Sequence, residues 1–265
     1  MPKSHEISSI HILMWVGQDG RSICPPLEFS ALSERGMRER NDDAFCAEKI
    51  GPYHLFAIAE GLPTPPYGDL ASRTAIDALR AVVRETKGSA QEILIAGIRQ
   101  AEADVRVLAQ LPKHTGLATT LVACLVDTKM NCTVLEISDR NCMIITKSST
   151  DNARTIAKAR HLPGSPAAAH PVPRPPALTD MISHVLGEPY RMKDADFPVF
   201  VLGNEFLLIS SGGLTDVLDK EAIAGIVRKN EGSINAACET LVQKAMKAGS
   251  ERTISVVLVH GNRDA

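Results

Sequence analysis

The order of the periodic segments constrains this chain more than any single residue does. Asp69 opens a helical pattern in which Ala71, Ala75, Leu79 and Val82 keep a 3.6-residue period, with Asp69 itself as the expected N-cap. Ser89 to Gln110 is a second helix, with Ile93, Ile98, Ala101, Val105 and Leu108 on one face and Pro112 beyond its end. Three short apolar runs follow, Thr119 to Asp127, Cys132 to Ser138 and Cys142 to Thr146, joined by turn-like Thr128–Asn131 and Asp139–Asn141. Upstream, Asp43 to Ile50 and His54 to Glu60 flank Gly51-Pro52 as a hairpin. Downstream, strands at Val199 to Leu202 and Glu205 to Ser211 surround Gly203-Asn204. Helices at Asp219 to Lys229 and Ser233 to Ala248 and a strand at Thr253 to His260 complete the series. Helix pairs on either side of a block of strands imply an α+β fold, a four-layer α-β-β-α sandwich of two antiparallel sheets flanked by helix pairs.

Bulk properties agree with one large domain spanning residues 1–265. The chain has 265 residues, 44% hydrophobic and 23% charged, enough to build a large core. A formal net charge of -2 gives no drive toward nucleic acid or a membrane surface, and no basic patch with interleaved aromatics is present. The apolar run Ile10 to Val16 reads as a strand, far short of the roughly 20 residues of a membrane helix. None of the 6 cysteines forms a C-x-x-C pair or has histidine at zinc spacing, which points to buried thiols in a reducing, cytoplasmic setting. Residues 151–177 are rich in proline and alanine and read as a surface flap.

Four segments carry the chemistry. They are Ser33-Glu34-Arg35-Gly36-Met37-Arg38-Glu39-Arg40-Asn41-Asp42-Asp43-Ala44, then Glu60-Gly61-Leu62-Pro63-Thr64-Pro65-Pro66-Tyr67-Gly68-Asp69-Leu70-Ala71-Ser72, then Leu207 to Leu218 around Ser211-Gly212-Gly213, and finally Arg252-Thr253-Ile254-Ser255-Val256. In order and spacing they resemble the signature segments of the metal-dependent type 2C Ser/Thr protein phosphatases, and the likeness runs from Ser30 to His260. Thr115 to Leu121 and Ser138-Asp139-Arg140-Asn141 also resemble family stretches, with Asp139 kept and the preceding glycine lost. In that family two divalent ions hold a water that attacks phosphorus, chemistry that needs several carboxylate oxygens around hard cations.

The resemblance places Arg38 on the arginine that grips substrate phosphate, a task suited to its fork of donors. It places Asp42 on an acidic metal ligand and Asp43 on the aspartate that follows it. The bridging aspartate is Glu60, and Gly61 offers its carbonyl. Pro63 and Thr64 replace two glycines, stiffening the next loop. Two further ligand positions are degenerate: one is Gly212, without a side chain, and the other is Arg252. A one-residue shift would bring Glu251 there instead but would lose the match at Ser255. Both exchanges raise the formal charge of the site, and an arginine beside a dication repels it by several kcal/mol at short range. The guanidinium of Arg252 is therefore expected to stand in one metal position and pair with Glu60.

The leading reading is a pseudophosphatase with a regulatory or phosphoprotein-binding role. It implies no metal, or one weakly bound Mg²⁺ or Mn²⁺ at Asp42, Glu60 and Gly61, and a phosphoprotein or protein kinase as partner. The alternative is an active phosphatase with two Mg²⁺ or Mn²⁺ and substitute ligands drawn from Glu60, Asp42, Glu251 or Asp216. No nucleotide-binding loop, nucleophile elbow or histidine pair at metal spacing competes with these readings.

Overall fold

The computed structural model describes residues 7–10, 27–62, 67–137, 142–145, 154–155, 185–187 and 198–262. One sheet contains β1 (Ile7–Ile10), β2 (Leu27–Glu34), β7 (Cys142–Ile145), β8 (Arg154–Thr155), β10 (Phe206–Ser210) and β11 (Ile254–Gly261), in the order β1-β2-β11-β10-β7-β8. The other contains β3 (Asp43–Ile50), β4 (Tyr53–Glu60), β5 (Leu121–Val126), β6 (Asn131–Ile137) and β9 (Val199–Val201), in the order β3-β4-β5-β6-β9. All of these pairings are antiparallel. Helices α1 (Gly68–Glu85) and α2 (Ala90–Ala109) cover the second sheet. The short α3 (Gly212–Thr215) follows β10, and α4 (Lys220–Lys229) and α5 (Ile234–Lys247) cover the first sheet.

The central strands read as unbroken apolar runs because both of their faces are covered. Successive side chains point to opposite faces of a strand. In β10, Leu207 and Ile209 enter the core between the sheets, while Phe206 and Leu208 pack toward α4 and α5. In β5, Val122, Cys124 and Val126 face that inner core, while Leu121, Ala123 and Leu125 meet α1 and α2. Three apolar layers thus separate four layers of secondary structure, the architecture expected from the sequence.

The helices start where capping chemistry places them. Ser89 and Glu92 form a reciprocal capping box at α2. Asp219 accepts from the Ala222 amide at 2.7 Å, and Ser233 from the Ala236 amide at 3.3 Å. The expected cap of α1 is corrected: the cap is Tyr67, without a side-chain hydrogen bond, and Asp69 lies in the first turn. There its carboxylate is drawn to Arg40 at 3.9 Å and Arg73 at 3.7 Å, and its charge still complements the helix dipole. Strand β2 escaped the sequence reading because Glu28, Ser30, Ser33 and Glu34 interrupt its apolar positions. The proline-rich 151–177 stretch, apart from Arg154–Thr155, and residues 11–16 lie outside the described residues. No described helix is long and apolar enough to cross a membrane.

Phe56 is fully buried at the centre of the inter-sheet layer, edge-on to Phe29 with ring centroids 5.2 Å apart. Phe56→Ala is expected to lower the free energy of unfolding by about 3–5 kcal/mol in urea denaturation. A loss below about 1 kcal/mol would mean that this layer is not the shared core.

Candidate functional site

Antiparallel pairing brings several strand ends together at one end of the sandwich. Asp43, the first residue of β3, pairs with Glu60, the last of β4. Ser33 near the end of β2 pairs with Ser255 near the start of β11. The Ser211 amide, just past β10, donates to the Ser255 carbonyl at 2.9 Å. Residues far apart in sequence thus converge where the sheets meet.

Arg252 is the centre of this arrangement. Its Nη2 pairs with Glu60 Oε1, and its Nη1 donates to Asp216 Oδ2 at 2.9 Å. The second Glu60 oxygen accepts from the Gly212 amide at 3.0 Å. Glu60 is 8% exposed and Arg252 29% exposed, so the pair sits at the mouth of the site with its anionic end buried. Burial pulls the guanidinium below its ordinary pKa, against the favourable charge of Asp43 and with the like charge of Arg38. With two carboxylates in contact, it stays charged. Gly212 makes the geometry possible: a Cβ there would lie 2.7 Å from Nη1, 2.8 Å from Cζ and 2.9 Å from Nη2 of Arg252.

Asp43 lies behind this pair, buried. Its Oδ1 accepts from Thr253 Oγ1 and its Oδ2 from Ser255 Oγ, each at 2.7 Å. Ser255 Oγ shares a further hydrogen bond with Ser33 Oγ, which accepts from Asn41 Nδ2 at 2.8 Å. Ser211 Oγ donates to the Thr253 carbonyl at 3.1 Å and accepts from the Ser255 amide at 2.9 Å. Burial raises the Asp43 carboxyl above the usual range, and the hydroxyls of Ser255 and Thr253 offset part of that rise.

Arg38 sits on the turn after β2. Arg35 braces this turn by donating to the carbonyls of Arg38 at 3.2 Å and Glu39 at 3.3 Å. Gly36 in the same turn adopts φ +62 and lies against the Arg252 carbonyl, so the turn and residue 252 are in contact. Arg38 Nη1 is 3.8 Å from Asp42 Oδ2, a loose pairing that leaves most of its donors available. Burial raises the Asp42 carboxyl, the charge of Arg38 opposes it, and Asp43 and Asp69 add to it. The Gly61 amide donates to the Asp42 carbonyl at 3.0 Å, and its backbone packs so tightly on Gly68 that a side chain would collide with the Gly68 carbonyl. Asp42, Asp43, Glu60, Gly61, Gly212 and Arg252 thus belong to one end of the fold. Asp139 and Pro63 to Pro66 lie outside the described residues.

The structure also fixes the register of the last segment. Arg252 reaches Glu60, whereas Glu251 is exposed. The second partner of Arg252, Asp216, came into the sequence reading only as a substitute metal ligand. The hydroxyl set around Asp43 has one signal in the sequence, Thr253-x-Ser255: alternation on a strand puts both hydroxyls on one face. Among the described residues no three His, Cys, Asp or Glu side chains converge as a metal ion requires.

The fold is that of the type 2C phosphatases. Residues 200–254 match the family model described as Protein phosphatase 2C. A bacterial serine phosphatase superposes with a TM-score of 0.76 at 20% identity, covering 90% of this chain and 99% of its own. The S. agalactiae serine/threonine phosphatase gives 0.74 at 21% identity, covering 89% and 99%. The catalytic domain of the serine threonine protein phosphatase PstP, in complex with 2 manganese ions, gives 0.68 at 19% identity, covering 88% and 97%. No curated protein matches the chain.

Asp43 makes a pH dependence accessible. Its folded pKa lies above its unfolded value, so its contribution to stability is complete below about pH 3.9 and is lost as pH rises through the folded value. The stability of the native protein minus that of Asp43→Asn, measured in urea from about pH 4 to about pH 8, is expected to fall with pH. A difference that stays level or grows with pH would contradict the assignment.

Proposed function

We propose that this protein is a pseudophosphatase, a type 2C fold that recognises phosphorylated protein without hydrolysing it. The observation that carries this reading is the seating of the Arg252 guanidinium on Glu60 and Asp216 beside a side-chain-free Gly212. These residues do not fit a pair of divalent ions. One expected ligand position has no side chain and another holds a cation. Both oxygens of Glu60 are already engaged, by Arg252 and by the Gly212 amide. Hard cations need several free carboxylate oxygens, so the residual grouping of Asp42, Glu60 and Gly61 is a poor ligand set.

Arg38 supports the recognition half of the reading. Its turn is braced by Arg35, and its guanidinium is 30% exposed and only loosely held by Asp42. A guanidinium fork suits the oxygens of a phosphoserine or phosphothreonine. The partner is accordingly a phosphoprotein, or a protein kinase carrying such a residue. Buried free thiols at Cys46, Cys124, Cys132 and Cys238 accord with a reducing, cytoplasmic setting.

The test is turnover and binding by the full chain with Mn²⁺ or Mg²⁺. We expect no release of phosphate from an aryl phosphate or a phosphothreonine peptide. The peptide is expected to bind, and Arg38→Ala to weaken it about tenfold, the loss of one charge-assisted contact. Metal-dependent phosphate release above the buffer rate would overturn the reading in favour of an active phosphatase with altered ligands.

A further inference from the structure

A row of charges runs from the Arg38 turn onto the first helix. Arg38 Nη1 lies 3.8 Å from Asp42 Oδ2. The first turn of α1 packs on Asp42, since a Cβ on Gly68 would lie 3.2 Å from Asp42 Cβ. Asp69 in that turn faces Arg40 at 3.9 Å through Oδ1 and Arg73 at 3.7 Å through Oδ2. The charges of Arg40 and Asp69 both reach Asp42, so the row is continuous. It holds three guanidiniums and two carboxylates, which leaves positive charge in excess.

The excess falls at Asp69. One carboxylate stands between two guanidiniums there, and both separations exceed an ordinary hydrogen bond. The side chains of Arg40 and Arg73 are more than half exposed, so their donors are open to a ligand. Glu39, exposed on the same turn, pairs with none of the three arginines among the described residues. Met37, next to Arg38, is also exposed, and methionine suits surfaces that accept a peptide chain.

We infer that Arg40 and Arg73, set side by side on Asp69, take a second anion next to the phosphate that Arg38 grips, and that this face binds an acidic phosphopeptide, one with glutamate or aspartate beside its phosphoresidue. Asp69 places the two guanidiniums without satisfying them. Complementary charge across an interface selects the partner. This inference rests on the phosphopeptide-binding reading and adds what the peptide must carry.

The experiment titrates the full chain with two labelled phosphothreonine peptides by fluorescence anisotropy. One has glutamates on both sides of the phosphothreonine, and the other has glutamines in their place. Native protein is expected to bind the acidic peptide about tenfold tighter, the sum of two exposed ion contacts. Arg40→Ala and Arg73→Ala are each expected to shrink that preference about threefold and to bind the neutral peptide as native protein does. Arg84→Ala removes the same charge from the last turn of α1 and should keep the full preference.

Equal binding of the two peptides by native protein would overturn the inference. So would a preference that Arg84→Ala lowers as much as Arg73→Ala, or a loss of neutral-peptide binding in Arg73→Ala. In each case the functional reading stands if Arg38→Ala still weakens both peptides. Binding of neither peptide would overturn both, and phosphate release with Mn²⁺ would sink the functional reading alone.

Discussion

The contact between Arg252 and Glu60 joins the two halves of this molecule at their chemical end. Arg252 precedes β11 in one sheet, and Glu60 ends β4 in the other. Away from this end of the fold, the described residues of the two sheets meet through an apolar layer that has no directional preference. Here a guanidinium fork, a carboxylate and the Gly212 amide fix them at set distances. Truncating one partner of such a pair strands the other's charge, and in buried settings that costs about 3–5 kcal/mol. The partial exposure of Arg252 places this pair below that figure.

Behind the ion pair, Asp43 shows how a carboxylate can be held in an apolar fold. Burying it is costly, and the cost is offset by hydroxyl donors from the opposite sheet. Serine and threonine at 253, 255, 33 and 211 form a polar seam between the sheets, so the same residues that satisfy Asp43 also set the register of β11 against β2. The Arg38 turn is then positioned through Gly36, which rests on the backbone of residue 252. The Arg38 turn and the Arg252–Glu60 pair are thereby in contact through one residue.

The layers of this fold were legible in the sequence because strands covered on both faces must be largely apolar, as β5 is throughout and as β10 and β11 are apart from Ser210, Ser255 and His260. Strand β2 was not legible: its polar residues are satisfied by tertiary partners such as the Ser33–Ser255 hydrogen bond, which no local pattern reveals. The same limit applied at α1, where Asp69 looked like a cap but is placed by Arg40 and Arg73. At the site, the exchanges at positions 60, 212 and 252 were visible as departures from a family pattern. That they form a matched set was only partly visible. The fit between Gly212 and the guanidinium, and the second carboxylate at Asp216, depend on approach distances across more than 30 residues of intervening chain.

The most direct measurement is a crystal structure of the native protein grown with Mn²⁺, with anomalous scattering recorded at the manganese edge. The Arg252 guanidinium is expected between Glu60 and Asp216, with no manganese peak there. A manganese ion on Glu60, with Arg252 swung out to solvent, would contradict it.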